Sequence, residues 1–129
     1  MKKLIPMLLF AGLFISCQTQ NLSLTDVEWK LISLNGKDYA TLFPPVTLTL
    51  SADNKVAGFA GCNRYFGSYT EKDTDLSFSG LGSTKMYCQE KMEVEDAFLK
   101  AMGEVNRFEL TSDKLTLQKD ESVLMEFSR

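Results

Sequence analysis

The chain has 129 residues, with 14 basic and 17 acidic side chains, a net charge of −3 and no histidine. An acidic chain without a basic cluster is a poor nucleic-acid binder, and it lacks the grouped lysines and arginines that attach a surface to anionic lipid. The absence of histidine excludes Ser-His-Asp and Cys-His catalysis and the common histidine-based metal sites.

The start of the chain has the three parts of an export signal. Two lysines are followed by an apolar run from Leu4 to Ile15, which is shorter than the roughly 20 residues that a membrane-spanning helix needs. Phe14-Ile15-Ser16-Cys17 then resembles a bacterial lipobox, in which the cysteine receives lipid and becomes the first mature residue. We expect residues 1–16 to be removed and residues 17–23 to form a lipid-bearing tether. The alternative is an ordinary signal peptide that is cut nearby, in which case Cys17 carries no lipid.

Lipid on Cys17 predicts a protein anchored in the cell envelope. Stable anchoring takes at least two membrane signals, and a lipoprotein cysteine carries three acyl chains. Gln18, rather than Asp, follows the cysteine. In many bacteria this pattern resembles the outer-membrane default, so we expect attachment there, facing the periplasm. Residues 24–129 are long enough for one domain with a single core, which we expect to be monomeric.

From Val27 onward, apolar residues mostly alternate with polar ones, which is typical of half-buried strands. Asn35-Gly36 predicts a turn, and Pro44-Pro45 ends the irregular stretch before the second strand. The predicted strands are at residues 27–31, 46–50, 56–60, 65–70, 76–78, 105–110, 114–118 and 123–127. Many short strands at regular spacing predict a small curled antiparallel sheet or barrel.

One helix is predicted, from Gln89 to Met102. Apolar residues at positions 94, 97, 98, 101 and 105 follow the spacing of a single buried face, and Gly103 stands where a left-handed cap is expected. The sequence therefore predicts a mainly β domain of the α+β type, in which the helix covers or plugs one open end. The methionines at positions 86, 92, 102 and 125 are expected to fill the core.

Cys62 and Cys88 are the two cysteines that remain when Cys17 carries lipid. In an oxidising compartment, two cysteines suggest one disulfide. The alternative is two buried free thiols. Two isolated cysteines without histidine do not supply the four ligands of a structural zinc site, so we expect no metal and no other cofactor.

The most informative stretch combines glycines, a cysteine, an Asn-Arg pair and aromatic residues. Gly58 and Gly61 could form a bulge or a sharp corner there. The residues Gly61-Cys62-Asn63-Arg64-Tyr65 with Gly67 and Tyr69, followed by Ser83-Thr84-Lys85-Met86 with Cys88, resemble the signature of META domains, also called the HslJ-like family. The resemblance covers about Leu24 to Phe127.

The resemblance implies a small β-barrel-like sheet with one helix, similar to lipocalin topology. It also implies a disulfide between Cys62 and Cys88, and an exported or lipid-anchored protein linked to stress. No catalytic residues are established for the family, so we expect no enzyme activity.

The candidate binding residues are those of the motif, namely Asn63, Arg64, Tyr65, Tyr69, Thr84, Lys85 and Met86. Arginine and tyrosine are enriched in binding hot spots, so one interpretation is a contact patch. The other is that the aromatic side chains fill the barrel while Arg64 anchors a loop carbonyl or a carboxylate.

Four functions stay open, in descending order. The first is a non-enzymatic envelope protein that binds another protein during stress or assembly. The second is a binder of a small apolar ligand inside the barrel, which a filled barrel would disfavour. The third is an inhibitor of an exported hydrolase that acts through a protruding loop, at residues 71–75 or around Arg64. The fourth is an enzyme.

Overall fold

The structure is a computed structural model that describes residues 12–13 and 22–129. Cys17 and most of the predicted leader and tether lie outside these residues, so lipid attachment stays a prediction. Within the part of the chain that is described, no helix has the length and apolar character needed to cross a bilayer.

Nine strands and one helix follow one another in the described chain. The strands are β1 Trp29–Leu34, β2 Lys37–Asp38, β3 Thr47–Leu50, β4 Lys55–Phe59, β5 Arg64–Lys72, β6 Asp75–Ser83, β7 Arg107–Leu110, β8 Lys114–Lys119 and β9 Ser122–Ser128, and the helix α1, Met92–Glu104, lies between β6 and β7. All pairings are antiparallel, in the order β2-β1-β3-β4-β5-β6-β7-β8-β9, and β1 also pairs with β9. The sheet therefore curls into a near-closed ring, which confirms the predicted fold class.

The interior of the ring is filled by side chains that alternate along the strands. The largest side chains with under 2% exposure include Trp29, Tyr65, Phe98 and Phe127. Phe98 of α1 lies edge-on to Tyr65 and to Phe127, with ring centroids 5.3 and 6.4 Å apart. Burying one such side chain stabilises a fold by roughly 1.5–3 kcal/mol, so α1 is part of the core as well as a cover for it.

The ring is weakest between β6 and β7. These strands share one register pair, Asp75 with Arg107, whereas β5 and β6 pair along nearly their whole length. The chain leaves the far end of β6, forms α1, and returns to Asn106, whose carbonyl accepts a hydrogen bond from the Leu76 amide at 3.3 Å. Helix α1 therefore runs back alongside β6 and covers the side where β7 does not reach.

The ends of α1 differ from the prediction. The helix begins at Met92 rather than Gln89, because residues 89–91 form a turn. It also continues through Gly103, where a left-handed cap was predicted, and ends in an extended Val105 with φ −62° and ψ 131°. The Val105 side chain is buried, and the burial of this apolar residue directs the chain into β7 without a glycine cap.

The prediction that Met86 fills the core is wrong. Its side chain is 62% exposed, whereas Met102 and Met125 are fully buried and Met92 is half-buried. Met86 precedes the turn before α1 in a segment without regular secondary structure, and hydrogen bonds with Asn63 fix its backbone while the side chain stays outside.

The described chain enters the barrel at one end, and the motif lies at the other. The Asp26 amide donates to the Leu50 carbonyl at 2.8 Å, so the entering chain lies beside the turn that follows β3 at residues 51–54. Strand β4 runs away from this turn to Phe59, and the chain then reaches the motif corner at residues 60–63. We call these two places the tether end and the motif end.

Candidate functional site

The motif begins with a sharp corner between β4 and β5. Gly61 has φ +123°, a conformation that side chains other than glycine rarely adopt. A Cβ atom at this position would lie 3.0 Å from Cγ1 of Val94, on the first turns of α1. The Ala60 amide donates to the Asn63 carbonyl at 2.9 Å and closes the corner. The predicted corner is therefore confirmed at Gly61, where it brings the backbone against the helix.

A buried carboxylate lies directly beneath this corner. Glu95 of α1 is 2% exposed. Its Oε1 accepts hydrogen bonds from the backbone amides of Cys62 at 3.2 Å and Asn63 at 2.6 Å, and its Oε2 accepts one from Nδ2 of Asn63 at 2.7 Å. No basic side chain lies within ion-pair distance of it in the described residues. Burial of a carboxylate is costly unless hydrogen bonds replace its water, and these three donors supply that replacement.

Asn63 connects this carboxylate to the second half of the motif. Its Oδ1 accepts from the Met86 amide at 2.7 Å and from the Thr84 hydroxyl at 3.0 Å, and its Nδ2 donates to the Met86 carbonyl at 2.9 Å. The two Nδ2 hydrogens are therefore used on Glu95 and Met86, and both acceptor positions of Oδ1 are filled. A side chain of another shape could not make all of these bonds at once.

The disulfide lies next to this network. Cys62 and Cys88 are bonded, with their Cα atoms 5.8 Å apart, and this confirms the predicted pairing. Because Cys62 precedes Asn63 and Cys88 follows Met86 by two residues, the covalent bond and the hydrogen bonds join the same two segments. The segment before α1 is thus attached to the corner at several neighbouring points.

Residues 84–87, which we call the motif loop, are displayed outward by these attachments. All four side chains are exposed, Met86 at 62% and Tyr87 at 78%. The backbone groups of Met86 face Asn63, whereas those of Lys85 and Tyr87 have no hydrogen-bond partner in the described part of the chain. The loop therefore presents exposed side chains and free backbone groups on a backbone that is fixed from behind.

The motif end carries basic side chains in an acidic protein. Lys85 is in the motif loop, and Arg64 lies beside it because the Thr84 amide donates to the Arg64 carbonyl at 3.1 Å. Lys85 and Lys100 also line one groove of about 340 Å³ with Leu81 and Leu99. Among the described residues the one ion pair is Lys114 with Glu126, so these three cations are available to a partner.

The structure separates the other predicted binding residues from this surface. Tyr65 and Tyr69 point into the barrel, where their hydroxyls donate to the carbonyls of Thr47 at 2.7 Å and Ser51 at 2.6 Å. Burial raises the pKa of Tyr65 well above the usual range of tyrosine. Burial also raises the pKa of Tyr69, with a further contribution from nearby carboxylates. These tyrosines therefore match the interpretation in which the motif aromatics fill the barrel.

Glu95 is the site residue that the sequence analysis missed. A helical pattern could have pointed to it, because Glu95 precedes Phe98 by three positions and Met102 by seven, and all three are buried on α1. An acidic residue on a buried helical face needs hydrogen-bond donors from another segment. Within the described residues no group of three or more His, Cys, Asp or Glu side chains could hold a metal ion.

Comparisons with known proteins give the same family as the motif. The chain matches the family model described as META domain over residues 22–129. It is similar to a protein from Burkholderia xenovorans solved by NMR, with 34% identity, a TM-score of 0.67, and coverage of 82% of this chain and 83% of that one. No curated protein matches the chain.

Two more distant structures share the fold alone. One was solved by NMR and has 24% identity, a TM-score of 0.61, and coverage of 78% of this chain and 87% of that one. The other is the crystal structure of a DUF4847 family protein from Bacteroides vulgatus, with 16% identity, a TM-score of 0.52, and coverage of 64% and 57%. The family match covers the whole ring, the helix and both halves of the motif, and the chain belongs to the META domain family.

Proposed function

We propose that this protein is a non-enzymatic lipoprotein of the cell envelope that binds another protein through the motif loop. In this proposal lipid on Cys17 attaches it to the outer membrane, where the domain faces the periplasm and acts in a stress-related role. The observation that carries the proposal is the motif loop itself, which combines exposed Lys85, Met86 and Tyr87 side chains with a backbone fixed by Asn63.

A rigid loop of this composition is suited to protein binding. The loop carries methionine and tyrosine, which are enriched in protein interfaces, and Arg64 beside it adds an arginine, a frequent hot-spot residue. A loop that is already ordered loses little conformational entropy when it binds. Because Asn63 and the disulfide order the loop within the free protein, most of that entropy is lost on folding rather than on binding.

The position of the loop suits a protein that is held by its N-terminal side. The described chain enters at the tether end, and the motif loop lies at the opposite end of β4 and β5. With lipid on Cys17, the tether end would lie nearer the membrane and the motif loop would face the aqueous compartment. A partner in the periplasm could then reach the loop.

The filled interior favours protein binding over a small apolar ligand in the barrel. Trp29, Phe98 and Phe127 are each under 2% exposed and occupy the centre of the ring. Barrels of this size have room for side chains or for one small ligand. A ligand in this interior would have to displace aromatic core side chains, at a cost of several kcal/mol for each.

Site-specific photo-crosslinking in the native host tests this proposal. A benzoylphenylalanine residue in place of Tyr87 is compared with one in place of Asp53, an exposed position at the tether end. We expect a discrete protein adduct from position 87 and none of the same mass from position 53. Adducts that are absent at position 87, or the same at both positions, would contradict the proposal.

Membrane attachment is tested separately by labelling growing cells with radioactive palmitate. We expect label in the wild-type protein and none in the Cys17→Ser variant. Equal labelling of the two proteins would contradict the anchor at Cys17 and would leave the binding role of the motif loop to the crosslinking experiment.

A further inference from the structure

We infer that the motif loop is a substrate-like inhibitory loop for a serine protease whose specificity pocket carries a carboxylate, and that Lys85 is the side chain that enters the pocket. The inference rests on the proposed protein-binding function and names the class of partner. It concerns the Lys85–Met86 peptide bond, which lies at the centre of the loop.

The backbone of the loop fits the way a protease binds a peptide. A protease cleft takes up an extended segment by pairing with its backbone, in the manner of strand addition. In the motif loop the backbone groups of Lys85 and Tyr87 are unpaired within the described residues, whereas those of Met86 are bonded to Asn63. One edge of the loop is thus attached to the barrel, and the other is free to pair with a cleft.

Lys85 has the chemistry that an acidic specificity pocket recognises. Its side chain is exposed and forms no ion pair with any described carboxylate. A pocket with a buried carboxylate selects lysine or arginine at the residue before the cleaved bond. The adjoining Arg64, which is also exposed and without an ion pair, adds positive charge beside the loop. The exposed carboxylate of Asp96 lines a groove beside the motif loop, so the positive charge is confined to Lys85 and Arg64.

The Asn63 side chain would keep the reacting groups in place. It contacts the residue before Lys85 through the Thr84 hydroxyl at 3.0 Å, and it bonds the amide and carbonyl of Met86 at 2.7 and 2.9 Å. Hydrolysis would add one water across the Lys85–Met86 bond, giving a carboxylate on Lys85 and an amine on Met86. Because that amine stays beside Asn63, the reverse reaction, which releases the water and restores the bond, is favoured over departure of the product.

The disulfide also keeps the two pieces of a cleaved chain together. Cys62 and Cys88 enclose the Lys85–Met86 bond in one covalent ring. A chain cut at this bond would still be joined through the Cys62–Cys88 bridge and through the continuous segment from residue 62 to residue 85. The leaving segment therefore could not diffuse away, which distinguishes an inhibitor from an ordinary substrate.

Inhibition of trypsin by the purified full-length protein tests this inference. Trypsin is the probe because its specificity pocket carries a carboxylate. At equimolar concentration we expect residual trypsin activity to fall at least tenfold, with the intact and the Lys85-cut chains both present at equilibrium. Chymotrypsin, which has an apolar pocket, should keep its activity, and the Lys85→Tyr variant should reverse this preference.

Matched charge variants separate a specific contact from a general effect of charge. Lys85→Arg should inhibit trypsin as the wild type does, and Lys85→Glu should lose inhibition at least a hundredfold. Lys72→Glu makes the same charge change on an exposed residue at the far end of β5, and it should inhibit as the wild type does.

Three results would overturn the inference, namely full trypsin activity at tenfold excess of the protein, complete cleavage without inhibition, and inhibition that survives Lys85→Glu. Circular dichroism of each variant shows that a lost effect is not a lost fold. If the crosslinker at position 87 forms a protein adduct but the protein does not inhibit trypsin, the inhibitor inference is wrong. The proposed protein-binding function is then still supported.

Discussion

The Asn63 carboxamide pairs with both backbone hydrogen-bonding groups of Met86, although 23 residues separate the two in the chain. The same carboxamide donates to the buried Glu95 carboxylate. One side chain thereby joins the corner after β4, the start of α1 and the exposed motif loop. Because hydrogen bonds inside a protein strengthen one another, we expect the three segments to lose their order together.

Replacement of Asn63 by alanine should lower the free energy of unfolding by about 3 kcal/mol. The change leaves the Met86 amide and carbonyl, the Thr84 hydroxyl and one oxygen of Glu95 without their partner, and each unsatisfied buried group costs about 1–3 kcal/mol unless water replaces it. Urea denaturation measures the loss. Asn106→Ala, at an exposed asparagine that bonds Asp120, is the control and should cost less than about 1 kcal/mol. Equal losses in the two variants would contradict the role given to Asn63.

Two substitutions of Glu95 should show how much its shape and how much its charge contribute to the stability of the fold. Glu95→Gln keeps an oxygen for the amides of Cys62 and Asn63 but turns an NH₂ group toward Nδ2 of Asn63, so we expect a loss of about 1–2 kcal/mol. Glu95→Leu removes every acceptor from three buried donors and should cost about 3–4 kcal/mol. Thermal or urea unfolding gives both values, with Asp96→Asn at an exposed neighbour as the control. A Leu variant as stable as the Gln variant would be evidence against the network.

Stability should fall as the pH rises above about 10, because the pKa values of Tyr65 and Tyr69 are raised in the folded state. In that range the unfolded chain loses its tyrosine protons first, so the folded state binds more protons. The stabilisation is complete below the ordinary tyrosine pKa of 10.0 and declines above it, by about 1.4 kcal/mol per pH unit for the deeply buried Tyr65, with a further contribution of the same sign from Tyr69. Unfolding at pH 8 to 11.5 measures this slope. Tyr65→Phe should remove the contribution of Tyr65 and so make the decrease of unfolding free energy with pH less steep. An unchanged slope would contradict the raised pKa of Tyr65 as its cause.

Removal of the disulfide should destabilise the domain without unfolding it. In the chain-entropy description, a bridge with a sequence separation of 26 stabilises by about 3.5 kcal/mol. The Cys62→Ala/Cys88→Ala variant keeps the Asn63 contacts with Met86, so we expect it to remain folded at 25 °C. Near-ultraviolet circular dichroism and urea denaturation measure the fold and the loss. A variant that has lost its near-ultraviolet circular dichroism signal at 25 °C would show that the hydrogen bonds alone do not hold the corner.

Periodicity was sufficient to predict most of the ring. The alternation of Leu48 and Leu50 in β3, and the apolar spacing of Val94, Phe98 and Ala101 in α1, report which face of a strand or helix is buried. Such patterns are local, and each depends on the burial of a single element. They predicted the curled sheet, the single helix and their order along the chain.

The hydrogen-bond network could not be predicted in this way, because its partners are distant in sequence. Nothing near Met86 indicates that its backbone is bonded to Asn63, and its residue type alone favoured a buried position for its side chain. Glu95 resembles an ordinary acidic residue at the start of a helix until the corner at Gly61 is placed above it. The two-residue strand β2 was likewise missed because two residues carry no periodicity.

Asn63 fixes the backbone of the motif loop while the side chains of the loop stay exposed. Amide hydrogen exchange of the loop, resolved by NMR, measures this fixation residue by residue. We expect the Met86 amide to exchange at least a hundredfold more slowly than the amides of Lys85 and Tyr87, and to lose this protection in Asn63→Ala. Three amides that exchange at the same fast rate in the wild-type protein would contradict the fixation of the loop by Asn63.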